Sequence, residues 1–86
     1  MKCIRISAVW CPSCLVTYKN WTLAQESFTN IEFEEQDYDF LSDEEQLEIG
    51  DLLPVYILKD HDLVVSILKG EKSKDQIVAF LSEGSR

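Results

Sequence analysis

A chain of 86 residues, 45% hydrophobic and with only three Gly and two Pro, is a globular sequence long enough for one modest core; a domain of this size removes about 60–65% of its unfolded surface from water. A formal net charge of −8, with no cluster of Lys and Arg, excludes a phosphate-binding surface for nucleic acid. Three cysteines are too few, and odd in number, for a secreted disulfide framework, and Arg5 breaks the first apolar run far short of a signal peptide or membrane span. A single domain over residues 1–86 in the reducing cytoplasm is therefore expected.

Residues 3–9, C-I-R-I-S-A-V, read as a strand, with Ile4, Ile6 and Ala8 on one face and Cys3, Arg5, Ser7 and Val9 on the other. Pro12 suits the first turn of a helix, where its missing N–H is no loss. Thr17, Trp21, Ala24 and Phe28 then recur at i, i+4, i+7 and i+11, which predicts a helix to about Phe28, closed by Thr29-Asn30. Residues 31–38 alternate imperfectly and read as a second strand. Ser42-Asp43-Glu44-Glu45 has the form of a capping box leading a short helix to about Ile49, with Gly50 as its stop.

Two apolar β runs within residues 54–70 flank Asp60-His61-Asp62 and predict an antiparallel hairpin, with His61 as a turn residue. Ser73 caps a last helix whose apolar face is Ile77, Phe80 and Leu81. The order β-α-β-α-β-β-α implies an α/β fold. Its first two strands are parallel through a right-handed crossover, and the hairpin adds antiparallel strands to give a four-stranded mixed sheet with helices on both faces.

The charge is uneven, because no basic residue lies between Lys19 and Lys59 while acidic residues crowd positions 32–51. This segment reads as a solvated face that keeps the protein soluble, the alternative being a surface that steers toward a basic partner. Cys3 reads as a small buried hydrophobe, about 25 Å along an extended strand from Cys11. A zinc site from Cys3, Cys11, Cys14 and His61 would need four ligands at one point, which strand geometry forbids, so no metal is expected.

Chemistry concentrates in A-V-W-C-P-S-C, residues 8–14. Thiols do redox work as thiolates, and Cys11, just before Pro12, sits at a helix N-terminus where unpaired N–H groups and the macrodipole favour a negative sulfur. Cys14 lies about one turn on, close enough for an intramolecular disulfide yet more shielded inside the helix. The asymmetry makes Cys11 the attacking thiol and Cys14 the one that resolves the mixed disulfide.

W-C-P-S-C after strand one, L-L-P-V-Y-I-L-K-D-H-D after the acidic segment, and L-K-G-E-K-S-K-D-Q-I-V-A-F-L resemble the thioredoxin family over most of the chain. The resemblance implies a minimal thioredoxin fold, lacking the extra N-terminal strand and helix of larger thioredoxins. It also implies dithiol–disulfide exchange, with Cys11 as nucleophile and Cys14 as resolving thiol. Trp10 corresponds to the motif tryptophan, an exposed flat contact for partners or else plain packing. Pro54 falls where the family places a cis-proline facing the disulfide; a cis Leu53–Pro54 bond would turn the Leu53 backbone toward Cys11 to pair with an extended substrate, whereas a trans proline would merely start the strand. Gly70 matches the glycine lining the substrate groove, or is a strand-end turn residue. Trp10, Pro12, Leu53, Pro54 and Gly70 are thus the candidate substrate-binding residues. The implied partners are protein or small-molecule disulfides and an electron-donor reductase, with a monomeric protein, no bound cofactor and no membrane.

Two features depart from the family. Pro12-Ser13 replaces the Gly-Pro of thioredoxins proper and is closer to glutaredoxins and oxidising relatives. Potentials across these classes span about 150 mV, about 7 kcal/mol for a two-electron couple, so the fold does not fix the direction of flux. Arg5 also aligns with the family's buried strand-one carboxylate and Glu35 with its facing lysine, so the charges are exchanged. Either the two form an inverted ion pair beneath the thiols, with Arg5 favouring the Cys11 or Cys14 thiolate, or both point to solvent.

Two alternatives stand beside this reading. A glutathione-dependent glutaredoxin is favoured by Cys11-Pro12, but Gly70-Glu71-Lys72-Ser73 replaces that family's glycine pair and acidic residue, and cations for glutathione carboxylates are scarce. A non-catalytic binding module, or a scaffold holding an iron–sulfur cluster between two chains through Cys11, is the alternative of another class.

Overall fold

A computed structural model describes residues 1–83. Its elements run β1 (Lys2–Ser7), α1 (Pro12–Gln25), β2 (Glu32–Asp37), a 3-10 turn (Tyr38–Phe40), α2 (Asp43–Ile49), β3 (Val55–Asp60), β4 (Leu63–Lys69) and α3 (Lys74–Ser82). The sheet order is β2-β1-β3-β4, with β1 parallel to β2 and the other pairs antiparallel. The expected β-α-β-α-β-β-α mixed sheet is the observed one.

Boundaries differ where side chains or tight turns intervene. β1 stops at Ser7, not Val9, because the Cys11 N–H donates to the Ala8 carbonyl at 3.1 Å and folds residues 8–11 into a turn. α1 ends at Gln25, not Phe28; the N–H groups of Ser27 and Phe28 bond carbonyls three residues back, tightening the exit. β2 ends at Asp37 because its carboxylate accepts from the Asp39 N–H at 2.9 Å and starts the 3-10 turn. Capping boxes open both later helices, Ser42 with Glu45 and Ser73 with Gln76. His61 sits at the hairpin turn with φ 56, in the left-handed region that His tolerates better than most residues.

Alternation along β1 and β3 divides the interior between the sheet's two faces. On one face Cys3, Tyr56 and Leu58 meet Trp21 and Ala24 of α1 and Ile77, Phe80 and Leu81 of α3, all nearly inaccessible. Trp21 is the hub, its ring edge-on to Phe33 at 5.4 Å and tilted on Tyr56 at 5.2 Å. Cys3 is the buried apolar residue its strand position implies, and burial pushes its thiol up to about 12. The other cluster joins Ile6, Ala8, Leu53 and Val55 to both motif cysteines, flanked by Ile4, Ile57 and Ile49 of α2. Helices therefore cover both faces. β4 is an edge strand that leaves Leu63, Val64 and Ile67 exposed, and a register shift at Leu58/Lys59 distorts its pairing with β3; such irregularity is a usual guard against edge-to-edge association.

Replacing Trp21 by Ala removes the hub and leaves a cavity between α1 and the sheet. Urea unfolding followed by far-ultraviolet dichroism is expected to show a loss of about 3–5 kcal/mol, a large share of the stability of a domain this small.

Candidate active site

The turn after β1 delivers Cys11 to the N-cap of α1, with Pro12 at the first helical position. Its backbone is extended (φ −95, ψ 109), and its sulfur, not a hydroxyl, takes the capping role: Cys11 Sγ accepts from the Cys14 N–H at 3.2 Å. An N-cap acceptor answers one of the four N–H groups that a helix start leaves unpaired. The same sulfur lies 3.8 Å from the Leu53 carbonyl oxygen. The Leu53–Pro54 peptide is cis, and both residues are buried. Cys11 and Cys14 are free thiols.

Exposure does not separate the two cysteines, since Cys11 is 6% and Cys14 3% accessible. Their hydrogen bonding does. Cys11 Sγ receives an amide hydrogen bond, whereas burial first, and then the hydrogen bond with Cys11, push the Cys14 thiol up to about 11, against the opposing pulls of a backbone hydrogen bond at Ala8 and, smaller, the charge on Arg5.

Trp10 is 56% exposed beside the thiols, so packing does not explain it. Its indole N–H donates to the Asp39 carboxylate at 2.9 and 3.1 Å, and its ring stands edge-on to Tyr38 at 6.0 Å. One residue of the acidic segment thus fixes the orientation of the motif tryptophan. Gly70 closes the far side. Its φ of 90 favours glycine, its N–H donates to the Pro54 carbonyl at 2.9 Å, and the Leu52 side chain lies against it.

Arg5 does not point to solvent. It is 2% accessible and reaches from β1 between β2 and α1. Nη1 donates to Glu35 Oε1 at 2.9 Å; Nη2 donates to the Cys14 carbonyl at 2.6 Å and to Thr17 Oγ1 at 3.3 Å. Glu35 is the Cα partner of Arg5 in the parallel β1–β2 register. The inverted ion pair therefore exists, and it lies on the side of Cys14.

Sequence reasoning missed an exposed apolar rim around the site, formed by Val9, Leu15, Val16 and Leu52. Its signal was present for Leu15 and Val16, which are apolar residues off the Thr17–Trp21–Ala24 stripe. A surface recess of about 590 Å³ is lined by Met1, Lys2, Glu32, Lys59 and His61 at the opposite end of β1 and touches neither motif thiol. Among the described residues no cluster of His, Cys, Asp and Glu could hold a metal ion, and no helix is long and apolar enough to cross a membrane.

Neither a family model nor a curated protein matches the sequence. Solved structures do match in shape. The chain is similar to thioredoxin-2 of the malaria parasite, with 17% identity over 95% of this chain and 81% of that one, at TM-score 0.81. Mitochondrial thioredoxin 3 of Saccharomyces cerevisiae matches at 16% identity over 95% and 76%, TM-score 0.82. A chain from the complex of ferredoxin:thioredoxin reductase with thioredoxin f2 matches at 16% identity over 99% and 77%, TM-score 0.82. Because nearly the whole chain superposes on these proteins and so few residues are shared, what they have in common is the path of the backbone: this chain has the thioredoxin fold, in a minimal four-stranded form.

Proposed function

We propose that the protein is a thiol–disulfide oxidoreductase with Cys11 and Cys14 as its working pair. The observation that carries this reading is the sulfur of Cys11 at a helix N-cap, accepting an amide hydrogen bond at 3.2 Å, with a second thiol one turn behind it. An amide aimed at sulfur favours the anionic form that performs exchange.

In the reducing direction, the Cys11 thiolate attacks one sulfur of a substrate disulfide. One substrate thiolate departs and takes a proton, and a mixed disulfide remains on Cys11. Cys14 then loses its proton and attacks Cys11 Sγ, expelling the second substrate sulfur as a thiol. The substrate gains two electrons and the protein is left with a Cys11–Cys14 disulfide.

The surroundings suit a protein or small-molecule disulfide as substrate. Trp10 and Pro12 border the thiols, the Leu53 carbonyl faces Cys11, and Pro54 and Gly70 hold that segment through their 2.9 Å backbone hydrogen bond. The exposed rim of Val9, Leu15, Val16 and Leu52 supplies apolar contact of the kind that marks interaction sites. An electron-donor reductase returns the two electrons; likeness to a chain from a thioredoxin–reductase complex supports that class of partner.

Reduction of a model protein disulfide, followed by turbidity with dithiothreitol as donor, tests the assignment. Cys11→Ser is expected to reduce turnover to the uncatalysed rate. With the pre-reduced protein and no dithiothreitol present, Cys14→Ser is expected to accumulate a substrate disulfide on Cys11, visible as a covalent adduct by mass spectrometry. Absence of that adduct would remove Cys11 as nucleophile.

The thiols also differ in their response to pH. With Cys14 raised to about 11 and Cys3 to about 12, only about one Cys14 in 10⁴ is ionised at pH 7. Iodoacetamide at pH 7 is therefore expected to modify Cys11 first, with Cys14 labelling rising about tenfold per pH unit up to the region of its own titration. Peptide mass mapping reads both, and equal labelling at neutrality would contradict the assigned roles.

A further inference from the structure

Arg5 is a cation at a position whose strand neighbours are wholly buried. Cys3, two residues earlier on the same face of β1, and Tyr56, its antiparallel neighbour, are both wholly buried. A buried ion pair adds little net stability compared with well-packed apolar residues, because desolvation offsets the attraction. The guanidinium is also incompletely satisfied: Nε has no hydrogen-bond partner, nor has the buried Tyr56 hydroxyl, and the cation sits between the Tyr18 and Tyr56 rings at 5.7 and 5.9 Å. Packing and hydrogen bonding alone do not account for a cation here.

Its place relative to sulfur does. Nη2 bonds the carbonyl of Cys14 itself, so the charge is fixed within the residue that carries the resolving thiol. A recess of about 150 Å³ beside it, lined by Arg5, Ser7, Cys14, Tyr18, Glu35 and Asp37 among others, opens this side to solvent. The titratable and charged groups facing Cys14 are thus Cys11 and Tyr18 from the α1 segment, Arg5 from β1, and Glu35 and Asp37 from β2. Arg5 alone among them is positive.

We propose that Arg5 is the positioning cation of the resolving thiol: anchored by Glu35, Thr17 and the Cys14 carbonyl, its permanent charge stabilises the Cys14 thiolate formed in the second displacement. The inference rests on the exchange reading for the step it serves. In that step the Cys14 S–H proton passes to water in the recess, the thiolate forms a bond to Cys11 Sγ, and the Cys11–substrate S–S bond breaks with its electron pair leaving on the substrate sulfur. Arg5 takes no proton, since a guanidinium is never deprotonated in a protein. Glu35 has two opposed effects, holding the fork in place and partly cancelling its charge.

That opposition gives a test of sign. In a Cys11→Ser background, the rate of Cys14 alkylation is followed from pH 7 to pH 10 by peptide mass mapping, which separates Cys14 from Cys3. No turnover is needed, so the result is independent of whether disulfide exchange is the protein's activity; loss of exchange with Cys14 behaving as stated would overturn only the proposed function. A nearby charge moves a thiol's titration by one unit or more, partly offset in rate by the lower nucleophilicity of a more acidic thiolate, so changes of about three- to tenfold are expected. Arg5→Met is expected to slow alkylation by that factor, and Arg5→Lys, which keeps the charge, to restore most of it. Glu35→Gln keeps an acceptor for the fork but removes the counter-charge, and is expected to accelerate alkylation by about threefold. Glu35 is a half-exposed side chain, so this variant decides the matter even where Arg5→Met fails to fold. An unchanged or slower rate in Glu35→Gln, or in a folded Arg5→Met an unchanged rate, would overturn the proposal.

Discussion

One hydrogen bond, from the Cys11 N–H to the Ala8 carbonyl, governs where the chemistry sits. It ends β1 two residues before the sequence pattern would and turns the chain directly into α1, so the residue at the N-cap is a cysteine and not an ordinary oxygen-bearing cap. A one-residue slip would hand the cap to Trp10 or Pro12, neither of which offers an acceptor. β1 pairs with strands on both sides, so its exit point is fixed by the sheet and cannot drift. The sheet thus determines, through this turn, which sulfur meets an amide.

The same strand supplies Arg5. Moving a guanidinium to 2% exposure costs several kcal/mol even after relaxation, and the partners around the charge offset that cost only in part, since Nε has none. Here they come from β2 and from the first turns of α1, so the cation ties the β1–β2 pair to the helix that carries the thiols.

Much of this was legible in the residues. The spacing of Thr17, Trp21 and Ala24, the capping box at Ser42, the cap at Ser73 and the apolar runs around Asp60-His61-Asp62 each report a local rule, and local rules survive folding. The pairing of Arg5 with Glu35 was legible only as one of two outcomes, because it depends on the register of two parallel strands joined through a helix; shifting β2 by one residue would have aimed Glu35 at the opposite face. The element ends at Ser7, Gln25 and Asp37 were misplaced by one to three residues, each for the sake of a single turn or side-chain hydrogen bond that pattern cannot register. The burial of Cys11 itself was not legible for another reason: a turn that wraps it against Leu53 involves residues more than forty positions apart.

The acidic stretch and the buried arginine are two halves of one arrangement. β2 and the 3-10 turn carry Glu35, Asp37 and Asp39 to the end of the sheet where the thiols lie, and Asp39 uses its charge to hold the Trp10 indole. Carboxylates near a forming thiolate oppose it, and the high titration of Cys14 already reflects burial and the neighbouring Cys11 thiol. Without a cation on the inner side, the carboxylates of β2 would act on the Cys14 thiol unopposed. Arg5 is the one positive group lining the recess beside Cys14, and it comes from the strand beneath, where a substrate's own charges cannot displace it and salt screens it least.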